Sequence, residues 1–171
     1  GPGHTKSLSI DSLAVFSSKD SVVVNTNDCP YDLASDVCKY IKSKYKNIDL
    51  LLVGYLGAGP FPQCFPDVSD KTKIIACDNK KNNFLQQMLG FILALEPIHF
   101  IPFAGKYTLA GSLSVLNKWR GNPDPEELYL DFLPKLEKQK SNSHMLLLDR
   151  ETEIDVKEKF IKSDYKKINI N

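Results

Sequence analysis

Asp28 is the residue whose type and position most favour chemistry. It follows the apolar run Val22–Val24, in the sequence Asn27-Asp28-Cys29-Pro30. Because a proline stops the hydrogen-bonded ladder, these residues are predicted at the carboxyl end of a strand, where open α/β sheets usually hold their ligands. The Asp28 carboxylate could serve as a single metal ligand. It could equally cap the helix that follows through a turn at residues 28–31, and the sequence leaves both interpretations open.

The remaining metal-binding residue types do not complete a local site. No H-E-x-x-H, H-x-H-x-D-H or C-x-x-C spacing occurs, so a histidine-rich metal site cannot be built from neighbouring residues. The histidines are His4, His99 and His144, and the cysteines are Cys29, Cys38, Cys64 and Cys77. The cysteines are predicted to be free thiols, and His99, which lies in an apolar strand pattern, is predicted to be a satisfied core residue.

Other catalytic signatures are weak. Gly54-x-x-Gly57-x-Gly59 follows a strand pattern, but Pro60 and Pro62 oppose the immediate helix that a phosphate site needs, so a structural loop is favoured over a dinucleotide site. No G-x-S-x-G elbow occurs. The Asp28 carboxylate would disfavour a Cys29 thiolate, which argues against a cysteine nucleophile at that position.

Composition places the chain among ordinary globular proteins. It has 171 residues, 42% hydrophobic and 25% charged, with 22 Lys+Arg against 21 Asp+Glu, so neither nucleic acid nor a membrane surface is favoured as a partner. The apolar stretch 84–103 is interrupted by polar residues, and no run approaches the roughly 18 residues of a membrane span. Residues 1–6 are interpreted as a protease-cleavage scar, residues 7–171 as a single α/β domain, and the location as cytoplasmic.

The elements that must position Asp28 alternate in type. The patterns predict a hairpin of strands 12–17 and 21–26, further strands at 49–53, 98–101 and 145–148, and helices at 32–45 and 79–95. Asp32 is predicted to cap the first helix, and Asp124-Pro125-Glu126-Glu127 predicts another helix start, with Pro134 kinking or ending that helix. The tail from Glu151 is charged and predicted to fray. Strands alternating with helices indicate an α/β layered domain.

Four segments in this order resemble one family. They are the hairpin ending in Asp28-Cys29, the 49–52 strand leading to Gly57-Ala58-Gly59-Pro60-Phe61-Pro62, the loop 102–107 (Pro-Phe-Ala-Gly-Lys-Tyr) and the helix start at 122–128. Over roughly residues 11–148, the chain resembles the C-terminal half of a metallo-β-lactamase-fold protein. The closest branch is that of the CMP-N-acetylneuraminate hydroxylase-like and related metal-dependent hydrolases.

The resemblance implies one half of a four-layer αββα sandwich, with a mixed sheet and helices on one face. It implies that Asp28 is a metal ligand and that the complete enzyme uses a divalent metal, zinc or iron, while this chain alone need hold none. The family's H-x-H-x-D-H cluster is missing here. An N-terminal half polypeptide or a second copy of the chain is therefore the expected partner.

Two functions follow as hypotheses. In the first, the chain is the C-terminal portion of a metal-dependent hydrolase in which metal-bound hydroxide attacks a phosphoester, amide or lactone of a small-molecule substrate. The substrate side would consist of Asn27, Phe103, Ala104, Gly105, Lys106 and Tyr107. Lys106 is either an anion contact or a solvated surface lysine. The alternative is a non-catalytic binding or assembly module that kept the fold and lost the metal site. In both, an apolar sheet face predicts that the chain is an oligomer or binds another polypeptide.

Overall fold

Five strands lie in the main sheet in the order in which they occur in the chain. The computed structural model describes residues 12–57, 59–104, 107–148, 152–158 and 160–162. The first two strands, β1 and β2, form the predicted antiparallel hairpin, and the other neighbouring pairs are parallel. The strands are β1 (Ala14–Ser17), β2 (Val22–Asn25), β3 (Leu50–Gly54), β4 (His99–Phe103) and β5 (His144–Met145). The chain is thus an α/β protein with a mixed, mostly parallel sheet.

Helical segments occupy the connections between the parallel strands. They are α1 (Tyr31–Lys44), α2 (Asp70–Leu95), a 3-10 segment (Gly111–Trp119), α3 (Pro125–Glu127), a π-helical turn (Leu128–Phe132) and α4 (Leu133–Lys138). Each of these connections leads to the neighbouring strand, always towards the β5 edge of the sheet. Because such connections are right-handed, the helices all lie on one face of the sheet. The row Val24, Leu51 and Phe100 faces them and is fully buried in one core with residues of α1, α2 and α4.

Two helix starts differ from the prediction. Helix α2 begins at Asp70 instead of Asn79, because the Ser69 hydroxyl accepts a hydrogen bond from the Thr72 N–H at 3.2 Å and starts the helix within a polar segment. Helix α1 begins at Tyr31 with Pro30 as its N-cap residue. Asp32 therefore lies inside the first turn of α1, and the prediction that it caps this helix is wrong.

Near the carboxyl end, α3 has the expected capping box between Asp124 and Glu127. The helix does not end at Pro134. The chain passes through the π-helical turn into α4, where Pro134 lies in the first turn. Strand β5 spans His144–Met145, so it shares only Met145 with the strand predicted at 145–148. Part of the tail predicted to fray forms an antiparallel ribbon of β6 (Glu153–Asp155) and β7 (Phe160–Lys162).

The sheet face away from the helices is partly covered by this ribbon. Leu50 and Ile101, which point to that face, are only 7% and 3% exposed, and Ile154 of β6 lines a small cavity together with Leu50. Towards β1 the same face is open, since Phe16 is 62% exposed. The chain therefore covers more of this face than the sequence predicts. In the described ranges, no helix is long and apolar enough to cross a membrane.

Candidate functional site

A cavity of about 500 Å³ opens at the carboxyl ends of β2, β3 and β4. This is the edge of a parallel sheet where ligands of α/β proteins usually bind. Residues from the ends of these strands form its polar side, and residues of α2 and the segment after β3 form its apolar side. The fold therefore places a concave surface where the sequence predicts the chemistry.

A tight turn after β2 brings Asp28 to the rim of this cavity. The Thr26 N–H continues the sheet by donating to the Leu52 carbonyl at 2.9 Å, and the Cys29 N–H closes the turn by donating to the Thr26 carbonyl at 3.1 Å. Asn27 adopts the left-handed conformation that the turn requires, with φ of 49°. Asparagine tolerates this region better than most residues, because its short polar side chain can bond locally. The turn residues are therefore suited to presenting Asp28.

The turn is fixed to β3 through Thr26 and Gly54. The buried Thr26 hydroxyl oxygen accepts a hydrogen bond from the Gly54 N–H at 3.1 Å. A Cβ atom at Gly54 would lie 3.0 Å from the Asn27 carbonyl oxygen, so the close approach of the two strand ends favours glycine there. These contacts hold the polar side of the cavity in a defined position.

The structure tests one of the two interpretations of Asp28, that it caps α1. The Tyr31 N–H, at the start of α1, donates to the Gln87 Oε1 of α2 at 3.3 Å, and α1 has no side-chain cap. The capping interpretation of Asp28 is therefore wrong. Asp28 is exposed and lines the cavity, and within the described residues its carboxylate makes no hydrogen bond or ion pair. It is available to a ligand.

The apolar side of the cavity comes from Leu56, Phe84 and Phe91. Phe91 packs edge-to-face on Tyr31, with ring centroids 5.1 Å apart. Gly57 lies against the Phe84 ring, which any Cβ at that position would overlap. Sequence analysis missed these residues as site residues, although Phe84, Gln87 and Phe91 share the spacing of one helix face.

The opposite rim consists of Ala104 and Tyr107. The Tyr107 hydroxyl donates to the Oε1 of buried Gln63 at 2.7 Å, and the Arg120 guanidinium donates to the Tyr107 carbonyl at 2.7 Å. Burial raises the pKa of the Tyr107 phenol. Ala104 has a φ of 62°, an unusual conformation for a residue with a Cβ. The polar network thus fixes Tyr107 at the rim.

The predicted site residues are only partly brought together. Asn27, Asp28, Ala104 and Tyr107 line one cavity. Phe103 ends β4 with an exposed side chain and is not among the residues lining this cavity. Gly105 and Lys106 lie outside the described residues.

The donor set determines how far this site fits a metal ion. Throughout the described ranges, no three His, Cys, Asp or Glu residues are arranged to hold an ion. Cys29, next to Asp28, directs its thiol to the Pro30 carbonyl at 3.8 Å. The described residues could therefore supply one carboxylate ligand, from Asp28, but they do not form a complete metal site.

Comparisons with known proteins leave the family open. No protein-family model matches the chain, and no curated protein matches it. A metagenomic short-chain oxidoreductase (SDR), whose crystal structure contains NADP, is a structural neighbour with 17% identity and a TM-score of 0.29. The similarity covers 69% of this chain and 53% of the oxidoreductase, so the chain spans about half the length of that neighbour. A similarity this weak carries no argument about function.

Proposed function

We propose that the chain is the C-terminal portion of a metal-dependent hydrolase of the metallo-β-lactamase superfamily, with its substrate site in the cavity at the strand ends. The observation that supports this most directly is the position of Asp28. Its carboxylate lies at the carboxyl end of β2, on the cavity rim, and is not used to cap α1. A carboxylate in this position suits a zinc or iron ligand.

In this proposal Asp28 supplies one ligand, and the remaining ligands come from another polypeptide. When bound, a divalent ion of this kind supplies an acidified water that can attack a phosphoester, amide or lactone. This chain's own part is to hold the Asp28 carboxylate in place, through the turn at Asn27 and the hydrogen bond between Thr26 and Gly54. No catalytic activity is expected of the chain alone.

The substrate side of the proposed site combines an apolar surface with polar groups. Phe84 and Phe91 offer an apolar surface, while Asn27 and Tyr107 offer polar groups at opposite rims. Such a cavity suits a small molecule with an apolar body and a polar reacting group. Phe103, Gly105 and Lys106, which are close to Tyr107 in the sequence, remain part of the proposed substrate side.

The partner is proposed to be an N-terminal half polypeptide or a second copy of the chain. The open part of the sheet face carries Phe16, Val23 and Leu52, which are exposed or half-buried. Burying such apolar side chains against another protein is favourable, and stable interfaces bury about 800 Å² on each partner. This face would bring the missing metal ligands to the edge of the same sheet.

Paramagnetic NMR tests the proposed metal contact in the isolated chain. Addition of Mn²⁺ to the ¹⁵N-labelled protein should broaden the amide signals of residues 26–29 and of Gly54 before others. Asp28→Asn should abolish this selective broadening, because an amide binds the ion much more weakly than a carboxylate. Asp32→Asn, at another exposed carboxylate near the start of α1, should leave the broadening unchanged.

Broadening that is equal in the wild type and in Asp28→Asn would contradict the proposal. The same result would favour the alternative, a binding or assembly module without a metal site.

A further inference from the structure

Two histidines that lie 45 positions apart in the sequence lie side by side on neighbouring strands of the sheet. His99 of β4 and His144 of β5 are direct neighbours in the parallel register. Their ring centroids lie 5.9 Å apart with a 41° angle between the planes. Both lie at the amino ends of their strands, whereas the cavity with Asp28 lies at the carboxyl ends. The pair is therefore separate from the site described above.

We propose that His99 and His144 chelate a Zn²⁺ ion. Zinc binds imidazole nitrogen at about 2.0–2.1 Å, so two rings that share one ion have centroids roughly 4.5–6 Å apart. The observed separation of 5.9 Å lies within this range. Each imidazole has two ring nitrogens, so a hydrogen bond at one nitrogen leaves the other able to bind the ion.

The backbone holds this pair in position without the metal. The His144 N–H donates to the Ile98 carbonyl at 2.9 Å, and the Leu146 N–H donates to the Phe100 carbonyl at 2.8 Å. These bonds fix β5 against β4 on both sides of the histidine pair. A preformed arrangement of this kind improves metal affinity, because fewer degrees of freedom are lost on binding.

The pair is accessible from solvent on the His144 side. His144 is exposed and His99 half-buried, so solvent reaches the pair. Asp155 of the ribbon lines the same small cavity as His99, and its Oδ1 accepts a hydrogen bond from the Glu158 N–H at 2.9 Å. Within the described residues no third ligand completes the site. The described residues therefore supply two imidazole ligands to the proposed ion.

A Zn²⁺ titration followed by ¹H–¹³C NMR of the histidine rings tests the proposal. The signals of His99 and His144 should shift together, with one common dissociation constant. His144→Asn should weaken Zn²⁺ binding at His99 by at least about tenfold, because the second ligand of a chelate binds at high effective concentration. His99→Asn should have the reciprocal effect on His144.

Two control variants separate this site from other ligands. His4→Asn removes the remaining histidine of the sequence, and Asp28→Asn removes the proposed carboxylate ligand at the opposite sheet edge. Both should leave the dissociation constant at the pair unchanged. The proposal is overturned if His144→Asn leaves the Zn²⁺ affinity of His99 unchanged, or if only the His4 ring responds. Should His99→Asn fail to fold, His144→Asn, at the exposed edge strand, still decides the question.

Discussion

Substitution of Gly121 by alanine should destabilise the chain much more than the same substitution at Gly111. Both glycines have left-handed backbones, with φ of 63° and 61°. An added Cβ at Gly121 would lie 2.8 Å from the Cys77 Cα and 2.9 Å from the Cys77 carbonyl oxygen. At Gly111 nothing lies within 4 Å. The pair therefore separates backbone strain from a steric clash.

The magnitudes follow from these two terms. A left-handed alanine costs roughly 1–2 kcal/mol, of which the lower entropy of the unfolded chain returns about 0.4–1 kcal/mol, so Gly111→Ala should lower the free energy of unfolding by about 1 kcal/mol. At Gly121 the clash is with backbone, which cannot rotate away, and overpacking adds roughly 1–3 kcal/mol. Gly121→Ala should therefore cost about 2–4 kcal/mol.

Urea denaturation followed by circular dichroism measures both variants. Gly121 directly follows Arg120, whose guanidinium holds the Tyr107 carbonyl, so the amide signal of Tyr107 should also shift in Gly121→Ala and not in Gly111→Ala. If both substitutions lowered the free energy of unfolding equally, the close packing of Gly121 against Cys77 of α2 would be refuted.

Two further predictions concern buried groups. Thr26→Val should lower the free energy of unfolding by about 1–2 kcal/mol and speed hydrogen exchange of the Gly54 amide, because that N–H loses its acceptor; Thr26→Ser should keep the amide protected. Burial, with a smaller contribution from nearby Cys29, raises the pKa of the Cys38 thiol from 9.0 to about 11. The folded state therefore retains a proton that the unfolded chain loses, so stability should fall as pH rises from about 9 to about 11. Cys38→Ala should flatten that part of the stability profile, and an unchanged profile would contradict the raised pKa.

Local signals in the sequence predicted several elements correctly. The β1–β2 hairpin and the capping box at Asp124 depend on nearby residues, and both are present. The first turns of α2 were missed because Ile74 and Ile75 are exposed, so apolar periodicity does not mark that part of the helix.

The candidate site was predictable only in part, for a similar reason. The position of Asp28 follows from a strand end and a proline, which are local. The apolar side at Phe84 and Phe91, and the contact of His99 with His144, depend on how distant segments pack. Spacing in one sequence does not contain that information.

Sedimentation velocity at micromolar concentration tests the central claim, that the chain is one half of a larger fold. The account predicts a species heavier than the 19.2 kDa monomer, because the open sheet face pairs with a second copy when its partner is absent. Phe16→Glu, on that face, should shift the chain towards monomer, whereas Ser17→Glu, on the other face of β1, should not. A monodisperse 19.2 kDa species with a cooperative thermal transition would contradict the claim.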